Sequence, residues 1–380
     1  MNQEIIDFIK SLYPSNNYIQ LHQPFFSEID KKYVLDTIES TFVSSVGKYV
    51  NDFEDLMSGY INSNYAIAVV NGTSALHIAL SIAGVKKNDL VITQALSFVA
   101  TSNAISYLGA SPLFLDVDIK TCGLCHEELE VFLSENTLTR GKDTYHKKTG
   151  QKISACVPVH TYGFPTKIDK IIEICETYNI PVIEDAAESI GSEYNGKKTG
   201  SFGNLGIFSF NGNKTITCGG GGIIVTNDQK LAKLAKHITT QAKIPHKWNF
   251  EHDRIGYNYR CPNLNAALAC SQLSQLEDII NNKRETANAY KMFFKNKDVT
   301  FMSEPENSSS NYWLNSIIFE SSSKRDDFLD ESNRKGVMTR PSWRLLNKLP
   351  MFKNCISGEL KNSLFFEKRL VNIPSGYRKK

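Results

Sequence analysis

A lysine and a run of glycines stand close together in "GIFSFNGNKTITCGGGGIIVTND", residues 206 to 228. The apolar ends, "GIFSF" and "GIIVT", read as short buried strands, with Lys214 between them and Gly219 to Gly222 just after it. A lysine withdrawn from water has a depressed pKa and offers its amine as a nucleophile toward an aldehyde. The glycines let the backbone turn sharply beside something bulky. They are not a nucleotide-binding fingerprint, because that motif follows a strand and opens a helix, whereas this run leads directly into "IIVT".

Two further features carry charge or bind it. Asp185 ends the apolar segment "PVIED", where an unpaired carboxylate is expensive and wants a cation. A protonated ring nitrogen would serve, and so would an ordinary ion pair. In "NGTSAL", Gly72, Thr73 and Ser74 lie between a strand and a helix, where backbone N–H groups, hydroxyls and the helix dipole suit a phosphate monoester. Thr and Ser also cap helices for structural reasons alone. Taken in order, a phosphate cup, a buried aspartate and a buried lysine at successive strand ends fit pyridoxal 5′-phosphate. Phe98, at the start of the helix expected in "SFVATSNAISYLG", has the shape of a lid for such a ring, or is a core phenylalanine.

These residues need a sheet to hold them. From about residue 66 to 240, strand and helix patterns alternate: "YAIAVV", "NGTSALHIALSIAG", "DLVITQ", "ISACVPVH", "PTKIDKIIEICETYNI" and "PVIED". Ile168, Ile171, Ile172 and Cys175 recur at one face of a helix, and the flanking β-branched runs suit strands covered on both sides. The expected fold is α/β, a mostly parallel sheet wrapped by helices, with a smaller α+β C-terminal domain. In such sheets ligands sit outside the carboxyl ends of the strands, where Gly72, Asp185 and Ser209 fall. The expected division is an N-terminal arm over 1–25, a large α/β domain over 26–250, and a bridging helix with the small domain over 251–380. Residues 263 to 296 read as one long helix without glycine or proline, and 136 to 152 as a polar surface insertion, a solvated loop.

Composition narrows the partners. The 380 residues are 41% hydrophobic and 22% charged, with a net charge of +3, which gives no reason for nucleic-acid or anionic-membrane binding. No window approaches the ~20 apolar residues of a membrane span, and the first residues do not resemble a secretory signal, so the expected location is the cytoplasm. Eight scattered cysteines fit free thiols. "CGLCH" at 122 to 126 matches a haem-attachment pattern and half of a zinc site, but no second ligand pair accompanies it, and no metal is expected.

The segments "GTSALHIAL", "SFVATSNAI", "VHTYGFP", "VIEDAAES", "GSFGNLGIFSFNGNKTIT" and "GYNYRCPNLNAAL", in this order, resemble the sugar-nucleotide aminotransferases of the DegT/DnrJ/EryC1/StrS family over roughly residues 20 to 375. The resemblance implies the aspartate-aminotransferase (type I) fold and pyridoxal 5′-phosphate as cofactor. It implies that Lys214 holds the cofactor aldehyde as an imine, Asp185 pairs with the ring nitrogen, Phe98 stacks on the ring, Gly72, Thr73, Ser74 and Ser209 contact the phosphate, and Glu188 lies near the phenolic oxygen. Asn258 matches an asparagine that relatives lend to the neighbouring subunit, implying a homodimer with shared active sites. Two departures stand out. Gly220 occupies a position usually held by glutamate, and Glu188 one often held by Gln or His. Relatives that have become dehydratases carry histidine in place of the lysine, so Lys214 points to transamination.

A narrower likeness, in "FSFNGNK", "TTQAKIPHKWNFEHDRIGYNYR" and "MTRPSWRLLNKLPMFKN", is to the legionaminic-acid-type branch, close to the bacillosamine and perosamine enzymes. It implies amination at C4 of a UDP-linked 2-acetamido-2,6-dideoxy-4-keto hexose with L-glutamate as donor, serving surface-glycan or nonulosonic acid biosynthesis. Ser44 and Ser45 would line the sugar site, and Arg340 and Trp343 are candidates for nucleotide or carboxylate contacts or for structural roles. The competing readings are a GDP-perosamine-type synthase and a sensor that keeps the cofactor fold without turnover.

Overall fold

The computed structural model describes residues 1–14 and 17–379; Ser15, Asn16 and Lys380, which fall within the expected arm and small domain, lie outside the described residues. The strand order of the large domain is Tyr65–Val69, Gly222–Thr226, Leu205–Ser209, Ile183–Asp185, Lys152–Val157, Leu90–Gln94, Ser111–Leu115. Bridges from Cys156 to Val182 and from Val159 to Asp185 join its two halves into one surface. Within this order only Gly222–Thr226 runs antiparallel to its neighbours, paired as Val69 with Gly222 on one side and Ser209 with Gly222 on the other. The sheet is therefore mostly parallel, and the carboxyl ends of Tyr65–Val69, Ile183–Asp185 and Leu205–Ser209 emerge at one edge.

Both faces are covered, which explains the continuous Val/Ile runs. Val69, Ile207, Ile224 and Ile183 pack under the helix Gly72–Ile82, while Phe208, Ile223 and Val225 pack against Phe53, Met57 and the helix Asn263–Ser274. Each such fully buried apolar side chain contributes about 1.5–3 kcal/mol, which fixes the strand ends that carry the polar groups.

Three sequence expectations change. The run 263–296 is two helices, Asn263–Ser274 and Leu276–Phe294, divided at Gln275. There the side chains of Ser271, Gln272 and Gln275 converge on the buried Asp30 carboxylate, a tertiary demand that no local pattern announces. Residues 136–152 form not a solvated loop but a hairpin, Thr137–Arg140 with Asp143–His146, added to the strand Lys152–Val157. Its polar composition hides the anchoring contacts: Thr144 donates to the Tyr178 carbonyl at 2.6 Å, and the His146 ring stacks on Phe132. The third change is small: the helix expected from Phe98 begins at Ala100, leaving Phe98 on the loop before it.

Thr300–Phe301, Asn315–Ile318, Leu370–Ile373 and Arg340–Pro341 make an antiparallel sheet in the C-terminal part. The amphipathic helix Asn2–Leu12 lays Ile5, Ile6 and Ile9 against Tyr290, Phe294, Ile317 and Val371, so the N-terminal segment completes that core. Among the described residues no helix is long and apolar enough to cross a membrane.

Candidate active site

A cavity of about 380 Å³ opens at the strand-end edge, lined among others by Gly72, Thr73, Phe98, Thr101, Asp185, Glu188, Ser209, Lys214, Trp313 and Trp343. Its floor is the start of the helix Gly72–Ile82. Asn71 caps this helix by accepting the Ser74 N–H on its side chain at 2.7 Å, a contact of about 1 kcal/mol. The first-turn N–H groups of Gly72 and Thr73, at the cavity lining, have no partner within the helix, which suits them to an anion. Ser74 is buried behind them and does not line the cavity.

Close backbone approach shapes this floor. A Cβ on Gly72 would lie 2.7 Å from the Ser209 Cβ, so only glycine lets Ser209 stand beside the helix terminus. A Cβ on Gly222 would meet the Asn71 carbonyl at 2.4 Å. The last glycine of the run thus presses the antiparallel strand against the turn that opens the helix.

Asp185 is 5% exposed. Its Oδ2 accepts from the Thr101 hydroxyl at 2.8 Å and its Oδ1 from the Ala187 N–H at 3.2 Å. Burial pushes its carboxyl above the usual range, against the pull of Thr101, the Ala187 N–H and the Lys214 charge. Behind it the adjacent Glu184 is fully buried and accepts from Gly200, Phe202 and Gly203 N–H groups and from His160. His160 Nδ1 takes the Thr166 N–H, which assigns the ring proton to Nε2, toward Glu184. Glu184 is thereby fully engaged in holding the strand end, whereas Asp185 faces the cavity and, among the described residues, forms no direct ion pair.

The Lys214 side chain is 12% exposed, its Nζ 3.7 Å from Glu188 Oε1 and 4.2 Å from the centre of the Trp313 ring. Glu188 is 4% exposed, and burial raises its carboxyl to about 7 against the opposing effect of Lys214. Its other oxygen accepts the Tyr162 N–H at 2.8 Å. Tyr162 is held at φ 58°, a left-handed conformation that costs a bulky residue on the order of 1–3 kcal/mol. Its ring packs 4.8 Å from Trp343, which in turn tilts against Phe98 at 6.3 Å, making an aromatic wall.

Gly72, Thr73, Phe98, Asp185, Glu188, Ser209, Lys214 and Trp343, all singled out in the sequence, meet in this one cavity. Ser44, Ser45, Asn258 and Arg340 do not line it. Ser44 is exposed, Ser45 lines a separate recess with Asn51, Lys236 and Arg260, and exposed Asn258 accepts from Arg260 Nε at 3.1 Å. Arg340 is exposed and donates to Asn333 and to the Thr339 carbonyl. Sequence reading missed Thr101, Tyr162 and Trp313, although Thr101 and Tyr162 stand in quoted segments, "SFVATSNAI" and "VHTYGFP".

The cysteine motif divides. Buried Cys122 packs on Met302 sulfur, and Cys125 donates to Glu127, both thiols pushed up chiefly by burial. Asp118, His126 and Glu127 bring ligand atoms within 4.8 Å of one another, but the Lys167 ammonium already pairs with both carboxylates.

The cavity suits pyridoxal 5′-phosphate: a helix terminus for the phosphate, a buried carboxylate without a cation for the ring nitrogen, an amine for the aldehyde and aromatic rings for its faces. Comparison with known proteins agrees. The model of the "DegT/DnrJ/EryC1/StrS aminotransferase family" matches residues 26–378. The chain is 37% identical to a GDP-perosamine synthase of Escherichia coli O157:H7, over 88% of this chain and 87% of that one. It is 35% identical to the putative pyridoxal phosphate-dependent aminotransferase EpsN of Bacillus subtilis, over 94% and 91%. A solved family aminotransferase from Brucella abortus superposes with a TM-score of 0.84 at 26% identity, covering 92% of this chain and 90% of that one. The chain belongs to the DegT/DnrJ/EryC1/StrS aminotransferases, a family of the type I fold whose cofactor is pyridoxal 5′-phosphate.

Proposed function

We propose that this aminotransferase replaces the C4 keto group of a nucleotide-linked 4-keto-6-deoxy sugar by an amino group, with L-glutamate as donor. The observation that carries this reading is the convergence of the Lys214 amine, the Asp185 carboxylate and the Gly72–Thr73 helix terminus on one cavity. When bound, the cofactor supplies an aldehyde that carries the amino group and a ring that takes up the electrons of a carbanion.

The chain's own groups do the rest. Lys214 would hold the cofactor through its amine and, as a free amine, would take the proton from the donor's α-carbon. Asp185, buried and supported by Thr101, would hold a proton on the ring nitrogen. Gly72, Thr73 and Ser209 would bind the phosphate, with Ser74 behind them fixing the turn through its N–H to Asn71, and Phe98 would supply an aromatic face for the ring. Ser44, Ser45, Asn258 and Arg340 lie outside their own chain's cavity; the exposure of Ser44 and Asn258 supports a homodimer in which they serve the partner's site. The exposed Trp248, Phe250 and Ile255, close in sequence to Asn258, support the same assembly.

Two nucleotides are in contention. The motif likeness to the legionaminic-acid-type branch favours UDP with a 2-acetamido group, whereas the 37% identity to a GDP-perosamine synthase favours GDP. Assaying UDP- and GDP-linked 4-keto sugars with glutamate, with NMR of the products, separates them. Turnover of neither class would refute the sugar assignment.

A further inference from the structure

Lys214 has two neighbours that the chemistry above leaves without a task. One is Glu188, whose Oε1 stands 3.7 Å from the lysine nitrogen. The other is Trp313, whose ring face lies 4.2 Å away. Neither is loosely placed. Glu188 Oε2 is occupied by the N–H of the strained Tyr162, which leaves Oε1 toward the lysine. Trp313 donates its indole N–H to the Asn213 carbonyl at 2.6 Å and its backbone N–H to Asn311 Oδ1 at 2.8 Å. The lysine nitrogen therefore rests in a cradle of one carboxylate oxygen and one aromatic face.

We propose that Glu188 is the proton partner of Lys214, holding the ammonium while the lysine is idle and accepting its proton when the free amine is needed. This rests on reading Lys214 as the reacting amine. Once the 3.7 Å separation closes to hydrogen-bond distance, a single proton passes from Nζ to Oε1, turning an ammonium and a carboxylate into an amine and a carboxylic acid. Net charge is unchanged and no other reactant takes part. Burying two charges carries a desolvation cost that the neutral pair avoids, which favours the transfer and makes the proton a property of the pair. The burial that raises the Glu188 carboxyl to about 7 acts in the same direction.

The other groups bearing on the pair fit this role. Asp185 raises the Glu188 carboxyl further, and the Tyr162 N–H lowers it without titrating. The Tyr162 phenol is bonded to Ser342 and held protonated by burial. His22 is close enough to feel the Lys214 charge, but burial keeps its ring neutral.

The test uses the full chain without cofactor. Competitive labelling of Lys214 with acetic anhydride across pH, read by mass spectrometry, gives the midpoint at which its amine appears. Glu188→Gln keeps an acceptor for the Tyr162 N–H but removes the charge and the proton site. The midpoint should fall by about one unit, making Lys214 label roughly tenfold faster at neutral pH. The infrared difference between wild type and variant should show a carboxyl band that titrates near neutrality. An unchanged midpoint and no such band would overturn the proposal. If Glu188→Gln does not fold, Lys214→Met provides the reciprocal test: the Glu188 band should persist to higher pH, and an unmoved band overturns the pairing. Because no cofactor or substrate is present, these readouts are separate from any failure of the aminotransferase reading.

Discussion

Thr101 donates its hydroxyl hydrogen to Asp185 Oδ2 at 2.8 Å, from the first turn of the helix that follows Phe98. A hydrogen bond to a buried carboxylate is worth about 1.5–3 kcal/mol. Thr101→Val keeps the shape and removes that donor. Asp185 should then hold its negative charge less well, and its grip on a cationic ring nitrogen should loosen. We expect cofactor affinity to fall by about 10- to 100-fold, measured by absorbance titration of the cofactor-free protein, with a parallel drop in kcat. Unaltered affinity and kcat would remove Thr101 from the site.

Gly222 tests the floor of the cavity. The atoms a Cβ would strike belong to the Asn71 and Gly72 backbone, not to a side chain that can swing away. Gly222→Ala should therefore displace the helix terminus and cost about 1–3 kcal/mol of stability, as overpacking does. Affinity for pyridoxal 5′-phosphate should fall more than affinity for pyridoxal, which lacks the phosphate. Equal losses for both would show that the terminus does not bind the anion.

Lys283 sets a pH dependence of stability. It is fully buried, donates to the Trp313 and Ser375 carbonyls, and burial lowers its pKa from the ordinary 10.5 to about 7. Between those values the unfolded chain keeps a proton that the folded chain has released, so raising the pH favours folding. The gap in unfolding free energy between wild type and Lys283→Met should shift in favour of wild type by about 2 kcal/mol from pH 7 to pH 9, at 1.36 kcal/mol per unit. Denaturant melts at several pH values measure it, and parallel curves would contradict the depressed pKa.

Shared sites predict complementation. Lys214→Ala and Asn258→Ala chains, each impaired alone, should regain part of wild-type activity when mixed, because a hybrid dimer contains one intact site. Subunit exchange is verified by native mass spectrometry. Exchange without any regained activity would mean that Asn258 serves its own chain or none.

The groups proposed to react were legible because their types conflict with their surroundings. Lys214 and Asp185 are charged residues at the ends of apolar runs, and Gly72 interrupts a strand-to-helix step. The sheet was legible because strands covered on both faces spell continuous Val and Ile. What escaped depends on contacts distant in sequence. Thr101 meets Asp185 across 84 positions, and Trp313 reaches Asn213 across 100. The hairpin at 137–146 and the division at Gln275 likewise rest on Tyr178 and Asp30, which no local window contains. Tyr162 stands in the quoted "VHTYGFP", but nothing there marks its left-handed backbone, which its packing imposes.

The most direct measurement is to incubate the purified protein with pyridoxal 5′-phosphate, reduce with borohydride and map the modified peptide by mass spectrometry. The expected result is a single phosphopyridoxyl group on Lys214, absent from Lys214→Ala. No adduct, or one on another lysine such as Lys283, would contradict the assignment of Lys214 as the cofactor-holding amine.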